Sequence, residues 1–578
     1  MIREPQQFLQ DVFFTYGSQA SYTFFPEILA WILGYFHPAE TFLTLTLLGL
    51  CVFTGASYVL IRTLFPSGER FYALLAVLIL PGGYGSHLIF SYAEPFFSGR
   101  SIAEPLVLAS MAAWLSHRRW MAVTCWVMAA SMHPLQALTL LVLAFSILVA
   151  QNQRWWHLLW LALPLVGLGL LDIAPFDQLI TRQDPEWRNW ISVRTPQVFV
   201  SSWQYAAWGS WLTDIFLGWL IVQHASGNLQ RIARGAVIAT ILGMLATLVL
   251  ADGLASVLST GIQLWRTQWL LHWLAMVSIP MLIAAHCPAG IVLSPRTALL
   301  LATIAYGIPM ASSGPSPLAV LGLIPLYLAW PWLPAHVSPW MMRFLRFFPW
   351  LALILGLVKY LQGIWNTYTH MDSVQEAILT LTGYPLVAGL FLYTGIRLWA
   401  SIKRGRIIFI IILIFSLIQI VDLWDRRSPW TKNMESIQYS ADFFGDVITP
   451  GAQVFWEDEL LGVWLVLRRP SFLNTLQSSG IAFNRSTAAE IVRREKILSV
   501  LFLQKQICKF FDAFNGSNEC TVDEERITEV CNDDGPDYMV LMTKLSIPPR
   551  STRQVSIDHE KEVKNTYYLY KCTDFKSE

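Results

Sequence analysis

Residues 91–104, SYAEPFFSGRSIAE, bring Glu94, Arg100 and Glu104 together at the edge of an apolar run. Carboxylates so placed can take or give protons, and a guanidinium can grip a phosphate or carboxylate through two parallel hydrogen bonds. Glu104 falls about one turn into the apolar segment, where an ionisable group costs about 2.5–3.5 kcal/mol unless it is paired or faces a wet cavity. Two readings fit: a polar active-site cavity at the outer membrane face, or an i,i+4 surface pair of Arg100 with Glu104 worth a few tenths of a kcal/mol. His133, in SMHPLQAL, separates two apolar runs that are each barely long enough to span. The tight turn there predicts a helix pair with the imidazole near the same face as Glu94, either as a working group or as a satisfied structural one. Residues 172–203 mix Asp177, Arg182, Asp184, Glu186, Arg188 and Arg194 with aromatics. This stretch reads as a loop folded over the membrane surface, where arginines meet phosphate and rings meet sugars, or as a solvated connector. Arg100, Glu104, His133, Arg182 and Arg194 are the candidates for substrate or phosphate binding.

The elements that must position these groups are apolar. Hydrophobic residues make up 54% of the 578 and charged residues 14%, against about 25% charged in an ordinary soluble chain, so most of the chain cannot face water. From about residue 40 to 424 the sequence is nearly continuously apolar, broken every twenty or so residues by basic or Pro/Gly interruptions. A bilayer core of about 30 Å takes about 20 apolar residues per helix. Candidate spans are roughly 40–62, 70–90, 101–116, 119–132, 136–151, 155–173, 203–223, 235–257, 264–286, 297–312, 315–335, 347–365, 384–401 and 407–424, about 13–15 crossings in all. Assigning alternate loops to the cytoplasm gives that side Arg62, Arg70, Arg118, Arg119, Arg154, Arg231, Arg234, Arg296, Arg343, Arg346, Lys403, Arg404 and Arg406, as the positive-inside rule requires. Trp155, Trp156, Trp330, Trp332, Trp340 and Trp350 cluster at span ends and suit either the headgroup layer or the core of the bundle.

The same assignment leaves residues 425–578 outside the cytoplasm. Cys508, Cys520, Cys531 and Cys572 all lie in that part, an even number that permits two disulfides in an oxidising compartment, in any of three pairings. Its 454–456, 464–467, 538–542 and 567–570 read as strands and 486–512 as a helix, giving a small α/β domain. The expected division is an N-terminal outer-loop or interfacial segment, 1–39, a transmembrane domain, 40–424, and an extracytoplasmic α/β domain, 425–578. The fold class is mainly α. Residues 22–36 are apolar but short and contain Pro26 and Glu27; they read as a span, an interfacial helix or a re-entrant piece. No apolar run of a secretory signal precedes them, so the N-terminus is either tucked or has lost a first span.

This layout, with acidic residues on short outer loops and an outside C-terminal domain, resembles the C-type (GT-C) integral membrane glycosyltransferases, which include protein mannosyltransferases and lipid A aminoarabinose transferases. Residues 454–485, VFWEDELLGVWLVLRRPSFLNTLQSSGIAFNR, are similar to the outer-domain sequence of bacterial membrane proteins of that type. The resemblance implies transfer of a sugar from a polyprenyl-phosphate donor to a glycan, lipid or protein acceptor at the outer face of a bacterial inner membrane. It also implies that Asp11, in FLQDVFFTYGSQ, is the general base and Glu94 a second acid, with Arg100 as phosphate or carboxylate partner. The family's adjacent acid pair and DxD motif are missing from this chain, and a divalent metal is compatible with the resemblance without being required by it.

Other chemistry finds little support. No zinc-like Cys/His spacing, P-loop, dinucleotide glycine fingerprint or Ser/His/Asp signature is present, and the net charge of +1 points to no nucleic-acid partner. Asp252, Arg266, His272, Lys359 and Glu376 fall mostly toward span ends, and no duplicated hydropathy pattern emerges, which counts against a transporter. A transporter or flippase for a lipid-linked saccharide and a non-catalytic envelope-assembly subunit are the alternatives.

Overall fold

A computed structural model describes residues 5–17, 22–86, 89–173, 176–287, 294–308, 316–369, parts of 384–414, 427–436, 441–457, 459–515, 523–531, 534–558 and 563–575. The chain is mainly helical, and it divides into two compact units. The first comprises residues 1–41, 182–198 and 426–578; the second comprises 42–181 and 199–425. The N-terminal segment therefore groups with the C-terminal part, and so does the stretch 182–198, a segment expected to be a loop of the membrane domain.

The second unit is built from apolar helices. Among the described residues, five stretches are long and apolar enough to cross a membrane: Pro38–Leu64, Pro134–Gln151, Gly227–Gly253, Val257–His286 and Pro339–Asn366. Arg70–Ile79 and Pro317–Ala329 are apolar but shorter. Several expected spans take a different form. The run 70–90 stops as a helix at Ile79 because Pro81, Gly82, Gly83 and Gly85 follow in quick succession. These residues start a two-stranded hairpin, β1 (Gly83–Tyr84) against β2 (Phe90–Ser91). The run 155–173 begins as a 3-10 segment, Gln153–Leu161, before the short helix Ala162–Leu170. The expected spans 384–401 and 407–424 fall largely outside the described residues.

A stripe of tryptophans runs through the largely aliphatic core of this unit. Trp265, Trp269 and Trp273 recur every four residues, share one side of the segment 264–286, and are all buried; successive turns of a helix stack such positions in one stripe. By contrast Trp155, Trp156, Trp332 and Trp340 are exposed on the unit's surface.

The first unit contains a four-stranded sheet in the order β3 (Val454–Trp456), β4 (Tyr538–Leu541), β6 (Val563–Lys571), β5 (Ser551–Asp558). β3 runs parallel to β4, and the other pairs are antiparallel. The long helix Arg485–Asn515 matches the expected periodicity. The expected strand 464–467 is instead a helical turn, Gly462–Val466. Gly462, Val463, Val466 and Leu467 are buried, a spacing of one helix face. β5 has the sequence STRQVSID, whose polar character at the sheet edge hid it from a search for apolar alternation.

Cys531 and Cys572 are bonded, closing a loop with a sequence separation of 41. The side chains of Cys508 and Cys520 lie outside the described residues. Peptide mapping of the full chain without reductant is expected to recover the 531–572 cross-linked peptide, and Cys572→Ser to lower the unfolding free energy of this unit by about 2–4 kcal/mol.

Candidate functional site

In the second unit, residues 80–98 bring polar groups into an apolar helical interior. A side chain at Gly82 would meet the Ser91 hydroxyl at 2.8 Å and the Tyr92 carbonyl at 2.9 Å. Gly85 has φ +76°, and a Cβ there would lie 2.5 Å from the Trp265 ring. Only glycine fits both positions, so the PGGYG sequence is what lets the hairpin seat itself. The segment is then tied on both sides. The Pro81 carbonyl accepts a hydrogen bond from His272 Nε2 at 3.0 Å, while His272 Nδ1 meets Asp214 Oδ1 at 2.8 Å. Asp214 Oδ2 accepts from Gln268 Nε2 at 3.0 Å.

At its other end the Ser98 hydroxyl donates to Glu94 Oε2 at 2.9 Å and accepts from the Arg100 amide, capping the helix Gly99–Leu115. Glu94 Oε1 pairs with Arg100 Nη2 at 2.6 Å. Arg100 thus turns to Glu94, away from the i,i+4 partnership with Glu104 open to it in the sequence. Glu104 is 1% exposed. Its Oε2 accepts from the Ala93 amide at 3.2 Å and its Oε1 from Gln136 Nε2 at 2.8 Å. The same Gln136 nitrogen lies 3.3 Å from the Tyr84 hydroxyl.

Two guanidiniums share the Phe90 ring. Arg100 Cζ lies 4.8 Å and Arg266 Cζ 4.0 Å from its centroid. Arg266, 6% exposed, directs Nε and Nη2 at Gln263 Oε1 (3.1 and 2.9 Å). The Nη1 atoms of both arginines are buried and make no hydrogen bond among the described residues. Buried donors are almost always satisfied, so an orphan of this kind asks for a partner. Ala93 (φ 52°) and Gln263 (φ 52°), which hold Glu104 and Arg266, both adopt the left-handed backbone region. For residues other than glycine this costs on the order of 1–3 kcal/mol, strain that clusters at functional sites. The arrangement offers one carboxylate held by neutral donors, a second spent on orienting a cation, and two cations each with an N–H that has no partner among the described residues.

His133 is the hinge expected from its sequence: it ends the helix Arg119–Met132 and caps Pro134–Gln151, its Nδ1 accepting from the Gln136 amide at 3.3 Å. Its position thereby fixes the start of the helix that carries Gln136. Arg182 and Arg194 belong to the first unit, not to this cluster. Arg182 is exposed, and Arg194 forms a two-pronged ion pair with Glu495 through Nε at 2.7 and 2.9 Å. Asp184 and Glu186 face Arg485.

Asp11, also in the first unit, is fully buried. Oδ1 accepts from the Phe13 amide at 3.0 Å and Gln477 Nε2 at 2.9 Å, and Oδ2 from Trp464 Nε1 at 2.7 Å and the Ser471 amide at 2.9 Å. Burial pushes its carboxyl above the usual range, and donation from Trp464, Ser471, Phe13 and Gln477 opposes that. Arg494 closes the knot by donating to the Gln10 and Phe472 carbonyls at 2.9 and 2.8 Å. With two donors on each oxygen, Asp11 does the work of a structural cap, and the general-base role expected for it has no open lone pair here.

Sequence reasoning missed Arg266, His272, Asp214, Gln136 and Tyr84 as members of one constellation. The signal was present: Asp214 interrupts an otherwise apolar run, and Gln263, Arg266, Thr267 and Gln268 form a polar patch inside another. Ionisable groups there are functional candidates by default. Among the described residues no group of three or more His, Cys, Asp or Glu side chains is arranged to hold a metal ion. Comparison with family models, curated proteins and solved structures gives no match.

Asp11→Asn separates a structural carboxylate from a catalytic one. The substituted NH₂ would confront two N–H donors whichever way the amide turns, and each buried unsatisfied donor costs about 1–3 kcal/mol. Denaturant unfolding followed by tryptophan emission is expected to show a loss of about 2–5 kcal/mol; a variant as stable as the parent would contradict the capping role.

Proposed function

We propose that this chain is a membrane glycosyltransferase of the GT-C kind, which moves a sugar from a polyprenyl-phosphate donor to an envelope acceptor, and that the second unit holds its reaction site. The observation that carries this reading is the pair of arginines, partly buried Arg100 and buried Arg266, each with a buried N–H that has no partner among the described residues, beside the buried carboxylate Glu104. Sugar transfer from a lipid phosphate needs both elements. As the bond between the sugar carbon and the phosphate oxygen breaks, negative charge collects on the departing phosphate, and fixed guanidiniums in a low-dielectric interior stabilise it. The acceptor hydroxyl meanwhile loses its proton to a carboxylate.

Glu104 suits the second task better than Glu94. Its oxygens are held by an amide side chain and a backbone N–H, whereas Glu94 is paired with Arg100 at 2.6 Å and orients it. The polar cluster is closed in this structure, so this reading requires an opening that admits donor and acceptor. The resemblance in layout supports the donor class. Asp11, assigned as base by that resemblance, is replaced in this reading by Glu104.

The test is a reconstituted transfer assay with polyprenyl-phosphate sugars as donors and envelope extract as acceptor. Glu104→Gln is expected to lower product formation by about 10²–10⁴-fold, the range for a lost general base. Arg266→Gln is expected to weaken donor use while leaving the protein folded. Full activity in Glu104→Gln would overturn the assignment of the base. Labelled carrier that changes leaflet with no donor consumed would replace transfer by transport.

A further inference from the structure

We infer that His224, His286, Arg296 and Tyr327 form a second anion site in the second unit, which takes the phosphate of an anionic phospholipid headgroup. Four helices converge there. His224 ends Tyr205–His224, His286 ends Gln268–His286, Arg296 stands in the first turn of Pro295–Gly307, and Tyr327 comes from Val320–Ala329. The two imidazoles meet edge to face with centroids 4.9 Å apart. His286 Nδ1 lies 2.7 Å from the Leu282 carbonyl and its Nε2 lies 2.5 Å from the Tyr327 hydroxyl. A carbonyl only accepts, so Nδ1 carries the proton and Nε2 receives the one from Tyr327. His286 is therefore saturated and serves to hold Tyr327.

The guanidinium of Arg296 lies over the Tyr327 ring, 4.6 Å from its centroid. Its Nε is buried and makes no hydrogen bond among the described residues. Together with a terminal nitrogen, Nε forms the fork that matches two phosphate oxygens. The stretches that supply these residues, 224–240, 279–300 and 316–336, contain no Asp or Glu, whereas exposed Arg231 and Arg234 add to the positive charge of the helix that follows His224. A cation at the end of an apolar bundle with no counter-ion among the described residues calls for one from outside. The charge pattern assigns these residues to the cytoplasmic face, whose leaflet carries anionic lipid, and basic pockets between membrane helices on that side bind headgroups. The site lies apart from the Phe90 cluster and does not depend on the transfer reaction.

The test uses the full-length protein in nanodiscs of phosphatidylcholine, with or without phosphatidylglycerol, and inorganic phosphate in a separate arm. Native mass spectrometry counts retained lipid, and thermal unfolding reports stability. Phosphatidylglycerol is expected to be retained and to raise the unfolding temperature. Arg296→Gln is expected to cut that retention about fivefold, consistent with one basic residue near anionic lipid. His224→Gln, a change at an exposed ring, is expected to cut it in the same direction and covers the case in which Arg296→Gln fails to fold. Equal retention by parent and both variants would overturn the site. Equal stabilisation by inorganic phosphate alone would overturn its assignment to lipid.

Discussion

The constraint on which the second unit depends is that an ionisable group inside an apolar helix bundle must find its partners within the protein. Removing a charge from water costs several kcal/mol, and that cost is offset only by close hydrogen bonds and opposite charge. Here the partners come from a hairpin segment that interrupts the helices. Its backbone supplies the Ala93 amide to Glu104 and the Pro81 carbonyl to His272, and its side chains supply Glu94 to Arg100 and Phe90 to both arginines. Glycines at 82 and 85 are the condition for that seating. A bulkier residue at either position would push the hairpin away from Ser91 or from Trp265, and the polar groups would lose their neighbours together.

The first unit solves a related problem with a different outcome. Asp11 is as buried as Glu104, yet each of its oxygens receives two N–H donors drawn from distant parts of the sequence. Full satisfaction makes it a fastener that joins the N-terminal segment to the 464–477 region. The cluster around Phe90 is incompletely satisfied, with one buried N–H on each of Arg100 and Arg266 left without a partner among the described residues. That difference in donor and acceptor accounting, more than burial or charge alone, separates a structural carboxylate from a candidate working one.

Much of this was legible in the sequence. The apolar periodicity of 38–369, the sheet strands at 454–456 and 538–541, and the helix from 485 follow from local pattern, because binary patterning is a short-range property. The motif around Glu94, Arg100 and Glu104 also stood out, since polar residues beside an apolar run are conspicuous. What local pattern did not carry was pairing. Arg266 lies far along the chain from Arg100, and their shared contact with the Phe90 ring makes them one site. Asp11 drew attention as an acid near the N-terminus, but its four donors lie at 13, 464, 471 and 477, and three of those contacts are long-range. The apolar segment 462–466 misled for another reason: a short run with no alternation fits a buried strand and a helical turn equally well.

The proposal that the Phe90 cluster receives the phosphate of a lipid-linked sugar can be checked by photo-cross-linking. A polyprenyl-phosphate sugar analogue carrying a photoreactive group beside its phosphate would be irradiated with the reconstituted protein and the adducts mapped by mass spectrometry. Adducts are expected within residues 84–104 and 263–268, suppressed by unlabelled donor and lost in Arg266→Gln. Adducts confined to other parts of the chain, or adducts at these peptides that unlabelled donor does not suppress, would contradict it.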